Sequence, residues 1–339
     1  MGSNERSIEM RSNMANADYA IAGVELDSPL LNAAGSINGS NVESLQREVD
    51  LLASTGIGAI TVGSFTIPRQ EGNEAKFGSP TYHYDAVERK TYNSMGLPNI
   101  GLEAAITLAP DLVSRSHDKG KPVIYSGSPT MSPESGDSVE QARRLVYEFL
   151  QTGVDLVELN VSCPNVVTDG GGRKPIMGYD LESMAELVEV LASEVGEEQR
   201  VGVKLPPYVS DEEKLLIPDV AKILRAKNVF SFLITANTIP NQVARNQDGT
   251  PVLTVPNGAG GMSGPATKEV GREQLQMWHE QMGDRLDIVS ALGVDSGQEV
   301  QVRRSLGAVA AEGVTFLWQS DNWASQISKV LHDYADSVG

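Results

Sequence analysis

The sequence predicts an α/β fold, specifically a (β/α)8 TIM barrel with a short N-terminal β-hairpin. Eight short β-rich runs recur along the chain, and a helix-like segment follows each one. Eight alternations within roughly 250–300 residues are typical of this barrel, whereas a doubly wound open sheet normally uses fewer strands. No linker divides the chain, so we expect one barrel domain over residues 18–339 after a disordered leader at residues 1–17.

The expected boundaries follow from the spacing of apolar residues. Strands are predicted at residues 30–35, 59–66, 122–128, 156–162, 200–206, 230–238, 287–294 and 314–319. Helices are predicted at residues 42–54, 102–117, 139–152, 181–195, 211–227, 268–281, 298–311 and 322–334. Residues 19–26 are expected to form the hairpin, and Asp211 is expected to cap the helix that it begins.

Composition limits the classes of function. Of 339 residues, 45 are acidic and 27 basic, which gives a net charge of −18 and disfavours nucleic acid or an anionic membrane as partner. A single cysteine excludes an intrachain disulfide and a thiolate metal cage, which fits a cytoplasmic protein. The four histidines lack metal-ligand spacing, so we expect no metal site and a small molecule as the partner.

One stretch, residues 157–166, combines a buried strand with unusual polar chemistry. Apolar residues alternate at Val157, Leu159 and Val161, and Pro164 should end the strand at or just before Cys163. The only cysteine therefore lies where a strand gives way to a loop, between Asn160 and Asn165. A buried packing cysteine is the simpler interpretation, but an apolar core would leave its polar neighbours unsatisfied. We therefore favour a functional thiol.

The carboxyl ends of the other predicted strands carry similar groups. In a barrel these ends form the active site. They supply small residues and amides together with one lysine, at residues 32–36, Gly63, Ser64, Lys204, Asn237 and Thr238. Loop residues 93–99 and 260–264 add further amides and glycines. Such a set suits a flat polar ligand held by many neutral hydrogen bonds.

Five of these motifs resemble the dihydroorotate dehydrogenase family, and the similarity is nearest to its soluble class 1 enzymes, in particular class 1A. The motifs are Asn-Ser-Met-Gly-Leu-Pro-Asn at 93–99, Asn-Val-Ser-Cys-Pro-Asn-Val at 160–166, Gly-Val-Lys-Leu-Pro-Pro-Tyr at 202–208, Asn-Thr-Ile at 237–239 and Gly-Gly-Met-Ser-Gly at 260–264. The resemblance implies a barrel that contains FMN and oxidises dihydroorotate to orotate in pyrimidine biosynthesis. It also implies a homodimer.

The resemblance assigns roles to individual residues. It implies that Cys163 is the general base, taking the C5 proton while a hydride leaves C6 for flavin N5. Substrate binding is implied for Asn93, Met95, Gly96, Leu97, Asn160, Asn165, Asn237 and Thr238. Cofactor binding is expected for Ala34, Gly35, Ser64, Asn160, Lys204, Asn237, Gly260, Gly261, Gly293 and Ser320. We expect Lys204 to favour negative charge on a reduced flavin, in preference to a purely structural salt bridge.

The chain departs from the family pattern at two places. The family usually has a lysine near the flavin, where this chain has Gly63 before Ser64 and Ser36-Ile37-Asn38 in the preceding loop. Relatives carry glycine-rich phosphate-binding pairs after strands seven and eight, whereas Leu292-Gly293 and Ser320-Asp321 are the corresponding residues expected here. Two alternatives stay open: a related flavoenzyme acting on another pyrimidine or cyclic amide, and a barrel that has lost FMN and binds a ligand or partner without redox chemistry.

Overall fold

The computed structural model describes residues 19–37, 39–130, 137–163, 176–195 and 200–338. The leader expected at residues 1–17 and the predicted substrate ligand Asn165 lie outside these residues. Within the described residues, eight parallel strands form a nearly closed barrel that helices surround, and two short antiparallel strands precede it. The predicted TIM barrel with an N-terminal hairpin is confirmed.

Among the described residues, fourteen strands, numbered in chain order, form three sheets. The N-terminal hairpin consists of β1 (Ala20–Ile21) and β2 (Val24–Glu25). The barrel consists of β3 (Leu30–Asn32), β4 (Ile60–Phe65), β7 (Val123–Gly127), β8 (Leu156–Asn160), β9 (Val201–Lys204), β10 (Phe232–Thr235), β13 (Asp287–Ser290) and β14 (Ala310–Gly313). A four-stranded antiparallel sheet consists of β5 (Tyr82–Asp85), β6 (Lys90–Asn93), β11 (Ile239–Val243) and β12 (Ala259–Ser263).

Helices surround the barrel, and the longer ones bury an apolar face against it. The helices are α1 (Val42–Ala53), α2 (Gly72–Phe77), α3 (Leu102–His117), α4 (Ser138–Leu150), α5 (Leu181–Ala192), α6 (Asp211–Lys214), α7 (Ile217–Ala226), α8 (Lys268–Met282), α9 (Gly297–Ser305), α10 (Thr315–Trp318) and α11 (Trp323–Val338). In the part of the chain that the structure describes, we find no helix with the length and apolar character that a membrane crossing requires.

The barrel closes between β3 and β4 through a buried side chain in addition to two backbone hydrogen bonds. Asn32 lies at the end of β3, is fully buried, and donates from Nδ2 to the carbonyl of Thr61, at 2.7 Å. Its Oδ1 accepts from the Thr61 backbone N–H, at 3.0 Å. One amide side chain thus satisfies both backbone groups of a buried strand residue, which would otherwise lack partners at this seam.

The eighth strand lies earlier in the chain than we expected. It spans Ala310–Gly313, whereas residues 314–319 were predicted as strand and instead contain α10. The sequence Ala-Ala-Glu-Gly has little intrinsic β-propensity, but pairing with β13 on one side and β3 on the other holds it extended. The preceding helix, predicted to reach residue 311, ends at Ser305 before Gly307, whose φ is +101°.

A second local difference concerns α6. Ser210, and not Asp211, is its N-cap: the Ser210 hydroxyl accepts from the Glu213 N–H, and the Glu213 side chain accepts from the Ser210 N–H. These two reciprocal hydrogen bonds form a capping box. The motif requires a serine or threonine three residues before a glutamate, so the serine is the cap and the aspartate lies inside the helix.

The four-stranded sheet comes from two excursions of the chain. The β5–β6 hairpin follows β4, the β11–β12 hairpin follows β10, and β6 pairs with β12 across the gap between them. Asn93 lies opposite Gly261, and Thr91 lies opposite Ser263. This pairing brings two segments that are remote in sequence to the same end of the barrel.

We predict that Asn32→Leu lowers the free energy of unfolding by about 2–6 kcal/mol, because two buried backbone groups of Thr61 lose their partners at about 1–3 kcal/mol each. Chemical denaturation followed by circular dichroism measures this change. Gln46→Leu is a matched control, since it removes an amide that bonds only Asp111 on the protein surface. An equal effect of the two substitutions would contradict a special role of Asn32 at the seam.

Candidate active site

A cleft opens at the carboxyl ends of the barrel strands. It contains about 1130 Å³ of space free of atoms, counted out to its open mouth. Barrel strands and the loops directly after them contribute Ala34, Gly35, Ser64, Asn160, Cys163, Lys204, Asn237, Thr238 and Gly293 to its wall. The β5–β6 excursion and the loop after it contribute Tyr82, Thr91, Asn93, Met95, Gly96 and Leu97. Together with Ser263 and Glu312, these residues come from ten separate segments that converge on one concave surface.

Of the described residues that were assigned individual roles from the sequence, all but three line this cleft. Gly260 and Gly261 lie on β12 but are absent from the cleft wall, and so is Ser320. Ser320 does not cap the helix that follows it. Its hydroxyl accepts from the Asn322 N–H, and the Asn322 side chain accepts from the Ser325 N–H. The roles expected for all these residues stay predictions.

Gly260 and Gly261 support the cleft indirectly. A Cβ on Gly260 would lie 2.4 Å from the carbonyl oxygen of Asn93, and one on Gly261 would lie 2.0 Å from Oγ1 of Thr238. No side chain fits at either position without displacing its neighbour. The glycine pair therefore allows β12 to pack closely against two residues that do line the cleft.

Asn160 is the centre of a hydrogen-bond network beside Cys163. Its Oδ1 accepts from both the N–H and the hydroxyl of Ser162, at 3.1 and 2.6 Å. The Ser162 hydroxyl in turn accepts from Nδ2 of Asn237, at 2.7 Å. Both asparagines are thus held in fixed orientations by Ser162, which follows β8. The half-buried Cys163 lies directly after this fixed strand end.

The same network extends down into the barrel. Asn160 donates from Nδ2 to the Ser64 hydroxyl at 3.1 Å, and Ser64 shares a 2.7 Å hydrogen bond with Ser126. Ser126 donates to Oε1 of Glu158 at 2.6 Å. These bonds connect the cleft wall to a charged group that is almost completely buried.

Three ionisable side chains, here called the buried charge cluster, lie under the cleft: Lys204, Glu158 and Glu312. Lys204 donates to Oε1 of Glu312 at 2.7 Å and lies 4.0 Å from Oε1 of Glu158. Burial alone would lower the pKa of Lys204, but the two carboxylates raise it above its ordinary value. Burial raises the pKa of Glu312 to about 7, with Lys204 opposing that shift. Lys204 is therefore a salt-bridged lysine that also lines the cleft.

A second group of polar side chains, here called the hydroxyl cluster, consists of Thr91, Ser263 and Thr315. Thr91 shares hydrogen bonds with Ser263 at 2.7 Å and with Thr315 at 3.3 Å. Nearby, the ring of Tyr82 packs edge-on against Trp318, with centroids 4.8 Å apart. The Tyr82 hydroxyl is buried without a hydrogen-bond partner among the described residues. Burial is the main cause that raises its pKa to about 12, so it stays a neutral donor.

The loop after β13 is held in a strained conformation. Leu292 has a φ of +63°, a region that costs a residue with a Cβ about 1–2 kcal/mol. Arg303, which is fully buried, donates to the carbonyls of Ala291 and Leu292 at 3.2 and 3.0 Å. Glu299 balances its charge at 2.6 Å. Strain that surrounding bonds enforce is typical of a functional loop, and Leu292 lines the cleft.

Sequence reasoning missed Glu312 and the hydroxyl cluster. In the sequence-based prediction, Glu312 fell between a helix and a strand that were both misplaced. Its position on a barrel strand could therefore not be recognised. The signal was present: a glutamate within the small apolar run at residues 308–314 is unusual for a surface helix. The hydroxyl cluster depends on pairing between β6 and β12, which no local pattern reveals.

The fold and cleft together define a class of protein: a barrel with a concave site at the carboxyl ends of its strands, lined by amides, hydroxyls and one buried cation. The chain matches the dihydroorotate dehydrogenase family over residues 16–334. It belongs to the dihydroorotate dehydrogenase family, and hence to a class of oxidoreductases.

Individual relatives agree with this assignment. The chain is 29% identical over 286 residues to a putative dihydroorotate dehydrogenase A (fumarate) of Streptococcus uberis, covering 84% of this chain and 82% of the relative. It is 30% identical over 322 residues to a dihydroorotate dehydrogenase (quinone) of Pseudarthrobacter chlorophenolicus, covering 91% and 83%. A crystal structure of DHODH from Eimeria tenella in complex with ferulenol shares the fold, with a TM-score of 0.72 at 17% identity over 98% of this chain and 90% of that one.

The raised pKa of Glu312 predicts that the effect of Glu312→Gln on folding stability depends on pH. A carboxyl whose pKa is raised by folding contributes stability at low pH that is lost as pH rises through its folded value. Wild type should lose this contribution between the ordinary value of 4.5 and about 7, whereas glutamine stays neutral throughout. Between pH 5 and pH 8 the free energy of unfolding of the variant should therefore rise by on the order of 2–4 kcal/mol relative to that of wild type.

Urea denaturation of both proteins across this pH range tests the prediction. Glu212→Gln, at an exposed position, should differ from wild type by less than about 0.5 kcal/mol throughout. A difference between Glu312→Gln and wild type that stays constant or moves the other way would show that Glu312 carries no raised pKa.

Proposed function

We propose that this protein oxidises dihydroorotate to orotate, with FMN as the hydride acceptor and Cys163 as the general base. One observation carries the proposal: the cleft brings Cys163 together with Asn93, Asn160 and Asn237 at the carboxyl ends of the barrel strands. Dihydroorotate is a ring of amides with a carboxylate, and each asparagine offers it both a donor and an acceptor. Membership in the dihydroorotate dehydrogenase family supports this assignment.

The cleft wall fits the chemistry of FMN. Gly35 has a φ of +94°, and a Cβ there would meet no atom within 4 Å, so its backbone is open to a ligand. The unpartnered hydroxyl of Tyr82 requires a polar partner that the described residues do not supply. We propose that Ala34, Gly35, Ser64 and Lys204 hold the flavin ring, and that the hydroxyl cluster holds the ribityl phosphate.

The residues of this chain would then divide the reaction between them. FMN, when bound, supplies a two-electron acceptor for the hydride from C6. The thiolate of Cys163 takes the C5 proton, so that one proton and one hydride leave and a C5–C6 double bond forms. An unperturbed thiol titrates near 8.5, close enough to neutral pH for a base in a polar loop. Asn160 and Asn237, fixed through Ser162, orient the substrate ring.

The remaining expectations concern the setting of the enzyme. We propose a cytoplasmic homodimer that works in pyrimidine biosynthesis, on the strength of the class 1A resemblance of residues 202–208. Light scattering on the purified protein tests the dimer: a mass near that of one 36.3 kDa chain would contradict it.

Purified protein reconstituted with FMN should show a flavin absorbance spectrum that dihydroorotate bleaches under anaerobic conditions. A panel of other cyclic amides serves as the specificity control and should bleach it much more slowly. Protein that stays colourless after incubation with FMN would contradict the proposed cofactor. A flavin that only another cyclic amide reduces would contradict the proposed substrate.

Cys163→Ala should slow flavin reduction by dihydroorotate by about 10²- to 10⁴-fold, the usual contribution of a general base. Stopped-flow absorbance of the flavin measures this rate directly. Cys163→Ser, which keeps a weaker proton acceptor, should lie between alanine and wild type at high pH. Both variants should keep their FMN, since no cofactor contact is assigned to the thiol. Reduction of the alanine variant within tenfold of wild type would exclude Cys163 as the base.

A further inference from the structure

The buried charge cluster contains more negative than positive groups. Lys204, Glu312 and Glu158 have side chains only 4%, 2% and 1% exposed. With all three ionised, one positive charge faces two negative ones, and the sum is −1. Such a cluster is costly to bury, and replacing a buried ion pair by apolar residues is often neutral or stabilising. Stability alone therefore gives no reason for the cluster.

We propose that Glu312 is a positioning residue that sets the reduction potential of the bound flavin by cancelling the charge of Lys204. The inference rests on the proposed function, in which FMN occupies the cleft. Lys204 and Glu312 both line that cleft, so their charges act on a ring bound there.

The physical reason is the charge that reduction adds. A hydride brings two electrons and one proton, so the flavin ring gains one negative charge when it accepts it. A free lysine beneath the ring would stabilise that charge and raise the potential. In a low-dielectric site the effect is large, because neither water nor salt screens it. The carboxylate of Glu312, 2.7 Å from Nζ of Lys204, opposes the lysine and so favours the oxidised ring.

Glu312 has this role and Glu158 does not, for two geometric reasons. Glu312 accepts directly from Lys204, whereas Glu158 is 4.0 Å away. Glu158 also accepts a hydrogen bond from Ser126, which is bonded in turn to Ser64 and through it to Asn160. Glu158 is absent from the cleft wall. Glu312 is therefore the carboxylate that both pairs with the lysine and faces the ligand.

The test is the midpoint potential of FMN in the holoenzyme, measured against a reference dye at pH 8. Glu312→Gln removes the charge at nearly constant volume. We expect its potential to be more positive than that of wild type, with at least a tenfold change in the equilibrium constant for flavin reduction, or about 30 mV for a two-electron couple. If the glutamine variant does not fold, Glu312→Met removes the same charge and should shift the potential in the same direction.

Two further variants separate electrostatics from structure. Glu312→Asp keeps the charge and should have a potential closer to wild type than the glutamine variant has. Asp155→Asn removes a partly buried carboxylate that bonds Val123 N, remote from the cleft wall, and should leave the potential unchanged.

The outcomes also distinguish the two proposals. A Gln or Met variant that holds FMN at an unchanged or more negative potential would overturn the role of Glu312 and leave the proposed function standing. Wild-type protein that fails to bind FMN would overturn the proposed function, and this inference with it.

Discussion

Closure of the barrel at Asn32 is the constraint on which the site depends. Every strand of a closed barrel must satisfy the backbone groups on both edges, and at the seam between β3 and β4 the Asn32 side chain does so together with two backbone hydrogen bonds. The residues that follow these two strands, Ala34, Gly35 and Ser64, reach the cleft from opposite sides of that seam. Without closure, the groups that face a ligand from β3 and β4 would lie at two separate edges of an open sheet.

The buried charge cluster determines how much positive charge the cleft has, given that the lysine usual in the family is missing. The sequence lacks the expected lysine before Ser64, where Gly63 lies instead. The lysine that does line the cleft, Lys204, is paired with Glu312. The site therefore presents far less positive charge to a ligand than the sequence motifs alone suggest. Recognition in this cleft must depend on the neutral amides and hydroxyls around it, which hold their orientations through bonds to each other.

The sequence predicted those parts of the site that depend on local order. Alternating apolar residues and Pro164 located the end of β8, and hence Cys163 and Asn160, because both signals act within a few residues. The eighth strand was misplaced because Ala310–Gly313 is extended only through pairing with its neighbours. The position of Glu312 in the site was missed for the same reason. The hydroxyl cluster depends on the pairing of Thr91 with Ser263, which is a property of the folded chain and not of any segment.

The pairing of β6 with β12 also bears on how the chain folds. The hydrogen bond from Asn93 to the carbonyl of Gly261 joins residues 168 positions apart. Until β12 has been synthesised, β6 can pair only with β5, and its other edge is open to any extended segment that it meets. Contacts of such long range close slowly, because the entropy of the intervening chain is lost first. The cleft is therefore complete only once both excursions have paired, and a ligand that contacts both would stabilise the paired state.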